Sequence, residues 1–118
     1  MPLPPKSDHR IALDAATKAV GRHRAAQRAA ARAGEAPGRA KAAGPYGFHA
    51  AAFQRILDQP GCVGIRIYPS LYEDGRESLV LVGVDEQGND MTAGELSNEP
   101  WECPPYCPPT DSALTTEG

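Results

Sequence analysis

The stretch "CVGIRIYPSLYEDGRESLVLVGVD", residues 62–85, lies where the branched aliphatic side chains of the chain cluster. Its first part, "CVGIRIY", alternates in a strand pattern, which predicts one face with Val63, Ile65 and Ile67 and an opposite face with Cys62, Gly64, Arg66 and Tyr68. The last part, "ESLVLVGVD", is apolar on both faces, as expected of a central strand that is covered on each side. Because an Asp-Gly turn signal lies between them, the two segments are predicted to form an antiparallel pair.

The residues on either side of this pair complete a small α+β unit. A short helix is predicted over residues 48–58, where Phe53, Ile56 and Leu57 form an apolar stripe and "QPG" ends the helix. Gly88 in "DEQGND" predicts a tight turn into a brief third strand over residues 89–92. We therefore expect a two- or three-stranded antiparallel sheet with the short helix on one face. The other face would be covered by a long N-terminal helix or by a second copy of the protein.

That long helix is predicted over residues 11–33, of which ten are alanine and none is proline. Arg24, Arg28 and Arg32 follow i, i+4 spacing and form a basic ridge along the helix. The remaining organisation is a flexible N-terminus at 1–10, a linker at 34–47, the helix-plus-sheet core at 48–92 and an extended proline-rich tail at 93–118. In the tail, "CPPYCPP" (103–109) favours a polyproline II course.

Composition indicates a core that is small for a chain of 118 residues, and such a core usually needs further cover or an oligomer. The net charge of −3 hides a split, because residues 1–44 hold nine Lys and Arg against three acids and the rest hold three against twelve. We expect the two halves to attract each other, within a subunit or between neighbours, rather than to bind nucleic acid. Nothing in the sequence resembles a secretory signal or a membrane span, so a cytoplasmic location is expected.

A resemblance emerges from "LDAATKAVGRHR", from "FHAAAFQRILDQPGCVGIRIYPSLYEDGRESLVLVGVDEQGNDM" and from "CPPYCPP". Together these segments resemble a group of small uncharacterised bacterial proteins, frequent in Bacteroidetes, that combine a leading helix with LxQPGCxGIRIY, LVGVDxxGND and CPPxCPP segments. The resemblance runs from Leu13 to Pro109, and the Ala/Arg-rich stretch from Ala25 to Ala43 departs from it. It implies a shared architecture and no known activity. The matching positions that a shared role would use are Cys62, Arg66, Tyr68, Cys103 and Cys107.

Three chemical interpretations of the cysteines stay open from the residues alone. Cys103 and Cys107 have a spacing found in zinc sites, and Cys62 with His49 would complete four ligands. An extended Pro104–Pro105 course would instead hold the Cα atoms of Cys103 and Cys107 roughly 12 Å apart, too far for a disulfide. A cis-proline or a tight turn would bring them together, and a reversible or intersubunit disulfide is the second interpretation. Inert cysteines in a stiff proline strap are the third interpretation.

Other motifs favour binding over catalysis. The thioredoxin pattern has two residues between its cysteines and does not fit "CPPYC", and "DEQGND" lacks the EF-hand glycine and its closing Glu. Arg66 and Tyr68 could bind an anion or form the solvated face of an edge strand. The leading hypothesis is a non-enzymatic structural or interaction protein that forms homo-oligomers through the long helix and the tail, with Trp101 and Tyr106 as tail contacts. The alternatives are a zinc or thiol-redox module and a non-specific nucleic-acid accessory protein that uses the basic ridge.

Overall fold

The computed structural model describes residues 8–34, 45–109 and 112–114. Within them the chain is α+β, as predicted, with two helices, a three-stranded and a two-stranded antiparallel sheet. The elements in chain order are α1 (Leu13–Arg32), β1 (Tyr46–Gly47), α2 (Ala50–Leu57), β2 (Gly64–Leu71), β3 (Glu77–Val84), β4 (Leu96–Ser97) and β5 (Trp101–Glu102). The predictions for residues 1–7, for the linker at 35–44 and for residues 110–111 and 115–118 of the tail lie outside the described residues.

Strands β2 and β3 form the antiparallel hairpin that the sequence predicts. The pairing runs from Gly64 opposite Val84 to Leu71 opposite Glu77. Gly75 closes the connection with a φ of +90°, a value that glycine adopts without steric cost. Strand β4 adds on the far side of β3, so that β3 is central and β2 is an edge strand.

Both faces of the sheet carry a helix from the same chain. Helix α1 packs on the face that carries Val80 and Val82, and its Ala16 joins these two valines and Leu96 in the buried core. Small alanines let this helix approach the sheet closely. Helix α2 packs on the opposite face, where Ile56 is fully buried over Gly83. Helix α1 therefore docks on its own sheet.

The third strand does not lie where the sequence predicts it. Gly88 does close a tight turn, in which its N–H donates to the carbonyl of Asp85 at 2.9 Å. After the turn, only Asp90 forms a bridge, opposite Val84. Leu96 and Ser97 supply the strand instead, because Leu96 is the next large apolar side chain that the core can bury.

The sequence predicts a flexible N-terminus over residues 1–10. Residues 8–10 instead extend the sheet beyond β4. The N–H of Ile11 donates to the carbonyl of Leu96 at 3.1 Å, and the N–H of Asn98 donates to the carbonyl of His9 at 2.7 Å. His9 is only 1% exposed. Its ring places two nitrogens inside the fold, and backbone groups satisfy both of them.

Part of the predicted linker and part of the predicted tail pair with each other. Strand β1 pairs antiparallel with β5, and Gly47 lies so close to Trp101 that a Cβ on Gly47 would be 3.3 Å from the indole. Beyond β5 the chain does not keep the extended course. The Cys103–Pro104 and Pro104–Pro105 peptide bonds are cis, and the Cα atoms of Cys103 and Cys107 lie 4.6 Å apart.

Candidate interaction surface at the free edge of the sheet

One edge of the three-stranded sheet, along β2, has no neighbouring strand among the described residues. The N–H of Tyr72 donates to the carbonyl of Arg76 at the hairpin end, which identifies these two residues as a hydrogen-bonded pair. Such pairs recur at every second residue. The backbone N–H and C=O groups of even-numbered residues of β2 therefore point to β3, and those of odd-numbered residues point to the free edge. Pro69 has an odd number, so its missing N–H falls on the free edge, where proline is tolerated.

The C-terminal half of this edge is closed to a further strand. Pro69 has no N–H to offer, and the carbonyl of Leu71 accepts a hydrogen bond from Nε of Arg22 in α1 at 2.8 Å. Edge prolines and covering side chains are common protections against strand pairing. The open part of the edge is thus residues 63–67, in which Ile65 and Ile67 offer their backbone groups, whereas the N–H of Val63 is already bonded to the carbonyl of Val84.

This open part carries exposed apolar side chains. Val63 is 61% exposed and Ile67 54%, and Leu57 of α2 is 46% exposed. The sequence predicts that Val63 and Ile67 share a strand face with Ile65 beneath the short helix, but both side chains are left exposed. Helix α2 has only eight residues, and it does not extend far enough over β2 to cover these two side chains.

A bulge at the start of β2 explains a second error in the predicted faces. Gly64 stands opposite Val84, and the N–H of Val63 also donates to the carbonyl of Val84 at 2.8 Å. Two residues opposite one form a β-bulge, which breaks the alternation. As a result, Cys62 lies by Gly83 under α2 and not on the face of Arg66 and Tyr68.

Arg66 and Tyr68 do come together, through Asp90. Nη1 of Arg66 donates to Oδ1 of Asp90 at 2.7 Å and to the carbonyl of Gly88 at 3.0 Å, and the Tyr68 hydroxyl donates to Oδ2 of Asp90. These bonds to Asp90 raise the pKa of the Arg66 guanidinium and the pKa of the Tyr68 hydroxyl above their ordinary values. Sequence reasoning missed Asp90 because it saw "DEQGND" only as a turn.

The four predicted ligands of a zinc site are engaged elsewhere. Cys103 and Cys107 form a disulfide with each other. The thiol of Cys62 donates to the carbonyl of Gly64, and Nδ1 of His49 accepts the N–H of Ala51 at the start of α2. In the part of the chain that the structure describes, no group of three His, Cys, Asp or Glu side chains is arranged to hold a metal ion.

The remaining predicted contact residues divide into exposed and buried ones. Arg24, Arg28 and Arg32 are exposed on α1, and none of them forms a hydrogen bond or ion pair within the described ranges. Trp101 is only 8% exposed, which corrects its assignment as a tail contact. Its indole meets the rings of His9 and His49 edge-on at 5.6 and 5.9 Å. Tyr106 is half-buried beside the disulfide, where its N–H donates to the carbonyl of Glu102.

Comparisons of the chain with protein-family models, with curated proteins and with solved structures found no match. None of the helices in the described ranges is long and apolar enough to cross a membrane.

Proposed function

We propose that this chain is a non-enzymatic interaction module that self-associates by antiparallel pairing of the open edge, residues 63–67, with the same edge of a second copy. The observation that carries the proposal is the exposure of Val63 and Ile67 on a strand edge whose other half is closed. An edge that is apolar and unpaired is a template for another strand. Negative charge elsewhere on the acidic half does not oppose this pairing, since no acid lies within residues 62–68.

The open edge is complementary to itself. In an antiparallel two-fold pairing centred on Ile65, Ile65 stands opposite its own copy and pairs with it through backbone hydrogen bonds. Val63 of each chain stands opposite Ile67 of the other, but its N–H stays bonded to Val84 of its own chain and does not join the pairing. This register leaves Pro69 of each chain beyond the paired segment, where its missing N–H costs no hydrogen bond. An isologous contact of this kind closes on itself and stops at a dimer.

The contact is small, so the dimer is expected to be weak and dependent on concentration. It forms a few backbone hydrogen bonds, each worth about 1 kcal/mol net, and covers two Val–Ile pairs. Pairing at this edge also replaces the association through the helix and the tail that the sequence suggested. Helix α1 is occupied by its own sheet, and the tail pairs with β1 and closes on itself through the disulfide.

Light scattering coupled to size-exclusion chromatography tests the proposal across a concentration series. Ile67→Asp and Val63→Lys should each shift the protein to a monomer, because each places two charges against an apolar partner. The double variant should recover dimer, since opposite charges then meet across the two-fold axis. Leu114→Asp is the control, because Leu114 is 97% exposed and does not belong to the edge strand.

Two results would contradict the proposal. One is a monomeric native chain at every concentration. The other is a dimer that the edge variants and the control weaken equally.

The nucleic-acid alternative rests on one observation, the unpaired ridge of Arg24, Arg28 and Arg32. Neutralising the three arginines would abolish a salt-dependent retardation of DNA or RNA if this alternative holds.

The thiol-redox alternative keeps only Cys103 and Cys107. Disulfides persist in oxidising compartments and are reduced in the cytosol, so thiol labelling of the protein in cells tests this pair and the proposed cytoplasmic location together.

A further inference from the structure

A cavity of about 170 Å³ lies between α1 and the sheet, on the face opposite to the exposed Ile67. Its floor is apolar and is formed by Val20 of α1 together with Val80, Val82 and Leu96 of the sheet. These side chains belong to the core or pack against it, so their positions are held by the fold. The cavity is therefore a preformed apolar recess.

The mouth of the recess is polar. It is lined by Arg24, Tyr68, Asp90 and Thr92, next to the apolar side chain of Leu13. Asp90 is also the acceptor of the Arg66 ion pair. The charge of Asp90 is compensated, because one oxygen accepts from Arg66 and the other from the Tyr68 hydroxyl. Arg24 has no such partner within the described residues. The mouth thus presents one uncompensated positive charge.

We propose that this recess binds a small carboxylate with an apolar body. The carboxylate would pair with the Arg24 guanidinium, whose planar fork suits a carboxylate. The apolar body would fill the recess between Val20 and Val82. A protein cavity of about 150 Å³ holds one benzene molecule, so the body is expected to be a single ring or a short branched chain.

The charge at the mouth excludes the opposite ligand class. An ammonium group would approach Arg24, and it would have to displace Arg66 or Tyr68 to reach Asp90. A neutral ligand would gain the apolar contacts and leave Arg24 unpaired. We therefore expect the acid to bind more tightly than the amide or amine of the same body.

Three probes with one body test this order on the full chain: phenylacetate, phenylacetamide and phenethylamine. Each is titrated into the ¹⁵N-labelled protein, and amide shifts are followed at Val20, Val82 and Thr92. Phenylacetate should give saturable shifts at these residues with an affinity about tenfold above that of phenylacetamide, the usual worth of one charge-assisted hydrogen bond. Phenethylamine should bind more weakly than the amide.

Two matched variants test which arginine binds the carboxylate. Arg24→Gln should remove the preference for the acid, whereas Arg28→Gln should keep it, because Arg28 lies one turn further along the same ridge and does not line the recess. Val20→Phe should fill the recess and weaken all three probes.

The proposal is overturned if no probe gives saturable shifts, or if the amide binds as tightly as the acid. It is also overturned if the Arg24 and Arg28 variants lose affinity equally, which would indicate general attraction to the basic ridge. Dimerisation is not part of this readout, so the test stands or falls independently of the proposed function.

Discussion

At the scale of single residues, the close approach of neighbouring side chains to the backbone explains why position 83 is a glycine. Gly83 lies in the buried central strand directly under α2. A Cβ at this position would meet Sγ of Cys62 at 3.0 Å and Cγ2 of Ile56 at 3.3 Å. Both neighbours are held in place, so the added methyl group has no free space.

Gly83→Ala should lower the free energy of unfolding by about 1 to 3 kcal/mol, the usual cost of overpacking a core. Urea denaturation measures the change. Gly64→Ala is the matched control, because the same methyl group on the neighbouring strand meets no atom within 4 Å. Equal effects of the two substitutions would contradict the packing of α2 on β3.

Three tyrosines make stability sensitive to alkaline pH. Burial raises the pKa of Tyr46 and the pKa of Tyr72, and the bond to Asp90 raises the pKa of Tyr68, each from an ordinary value of 10.0. Each folded pKa therefore lies above its unfolded counterpart. The stabilisation is fully present below the unfolded pKa and is lost as the pH rises through the folded pKa. We expect the free energy of unfolding to fall once the pH exceeds about 10.

Tyr46→Phe should show how much of the alkaline loss of stability comes from Tyr46 and not from the other two tyrosines. The hydroxyl of Tyr46 is buried and has no hydrogen-bond partner among the described residues, so its removal should leave stability at neutral pH unchanged or raise it by up to about 1 kcal/mol. It should also make the alkaline loss shallower. Tyr68→Phe is the comparison, because it removes a formed bond to Asp90 and should destabilise the protein. A loss at neutral pH from Tyr46→Phe would mean that its hydroxyl has a partner.

At the scale of elements, the short segments depend on partners far away in the chain. Residues 8–11 are held by β4, and β1 is held by β5. His9 connects these two regions, since its Nδ1 donates to the carbonyl of Glu99 at 2.9 Å and its Nε2 accepts the N–H of His49 at 3.1 Å. Its ring also packs edge-on against Phe48 at 4.8 Å.

His9→Ala should therefore lower the free energy of unfolding by about 2 to 4 kcal/mol, because it leaves a cavity and two unpaired backbone groups. Hydrogen exchange should show faster exchange at Ile11 and Asn98, whose amides pair within this region. His23→Ala on α1 is the control and should change the stability by no more than about 0.5 kcal/mol. An unchanged stability in the His9 variant would show that the segment does not dock as an edge strand.

At the scale of the whole molecule, the predicted attraction between a basic and an acidic half is visible at one place. Arg10 of the basic half lies 3.0 Å from Glu95 of the acidic half. A second pair, between Asp8 and Arg55 at 3.5 Å, also joins the two halves but has the opposite polarity. These pairs are largely exposed and contribute little to stability. The arginine ridge of α1 takes no part in them, which leaves its charge available for a ligand or partner.

The sheet separates the two proposed surfaces, and this separation is itself testable. The exposed side chain of Ile67 and the recess lie on opposite faces of β2, so a change at Ile67 should not alter binding in the recess. Ile67→Asp should abolish the dimer and leave the affinity for phenylacetate unchanged, and Arg24→Gln should do the reverse. Light scattering and the amide titration measure the two quantities on the same samples. A change in both quantities from either substitution would show that the surfaces are coupled.

The sequence by itself determined the α+β class, the antiparallel pair of long strands and the short helix that ends at "QPG". These features depend on patterns of neighbouring residues, such as an alternation of two or a stripe of three and four, and local patterns are present in any single sequence. The same local reasoning identified Arg66 and Tyr68 as a polar pair on one strand face. It could not supply Asp90, because nothing local connects a turn residue to a strand 22 residues earlier.

Only the tertiary structure decided which side chains are covered. The alternation placed Val63 and Ile67 on one strand face beneath the short helix, yet the edge position of β2 leaves both side chains exposed. The bulge at Val63 moved Cys62 to the other face, and the turn at "CPPYC" joined two cysteines that an extended chain would separate. The docking of His9 joins residues 40 and 90 positions apart. Each of these outcomes depends on competition between distant segments for the same buried surface, and that competition is settled only when the whole chain is folded.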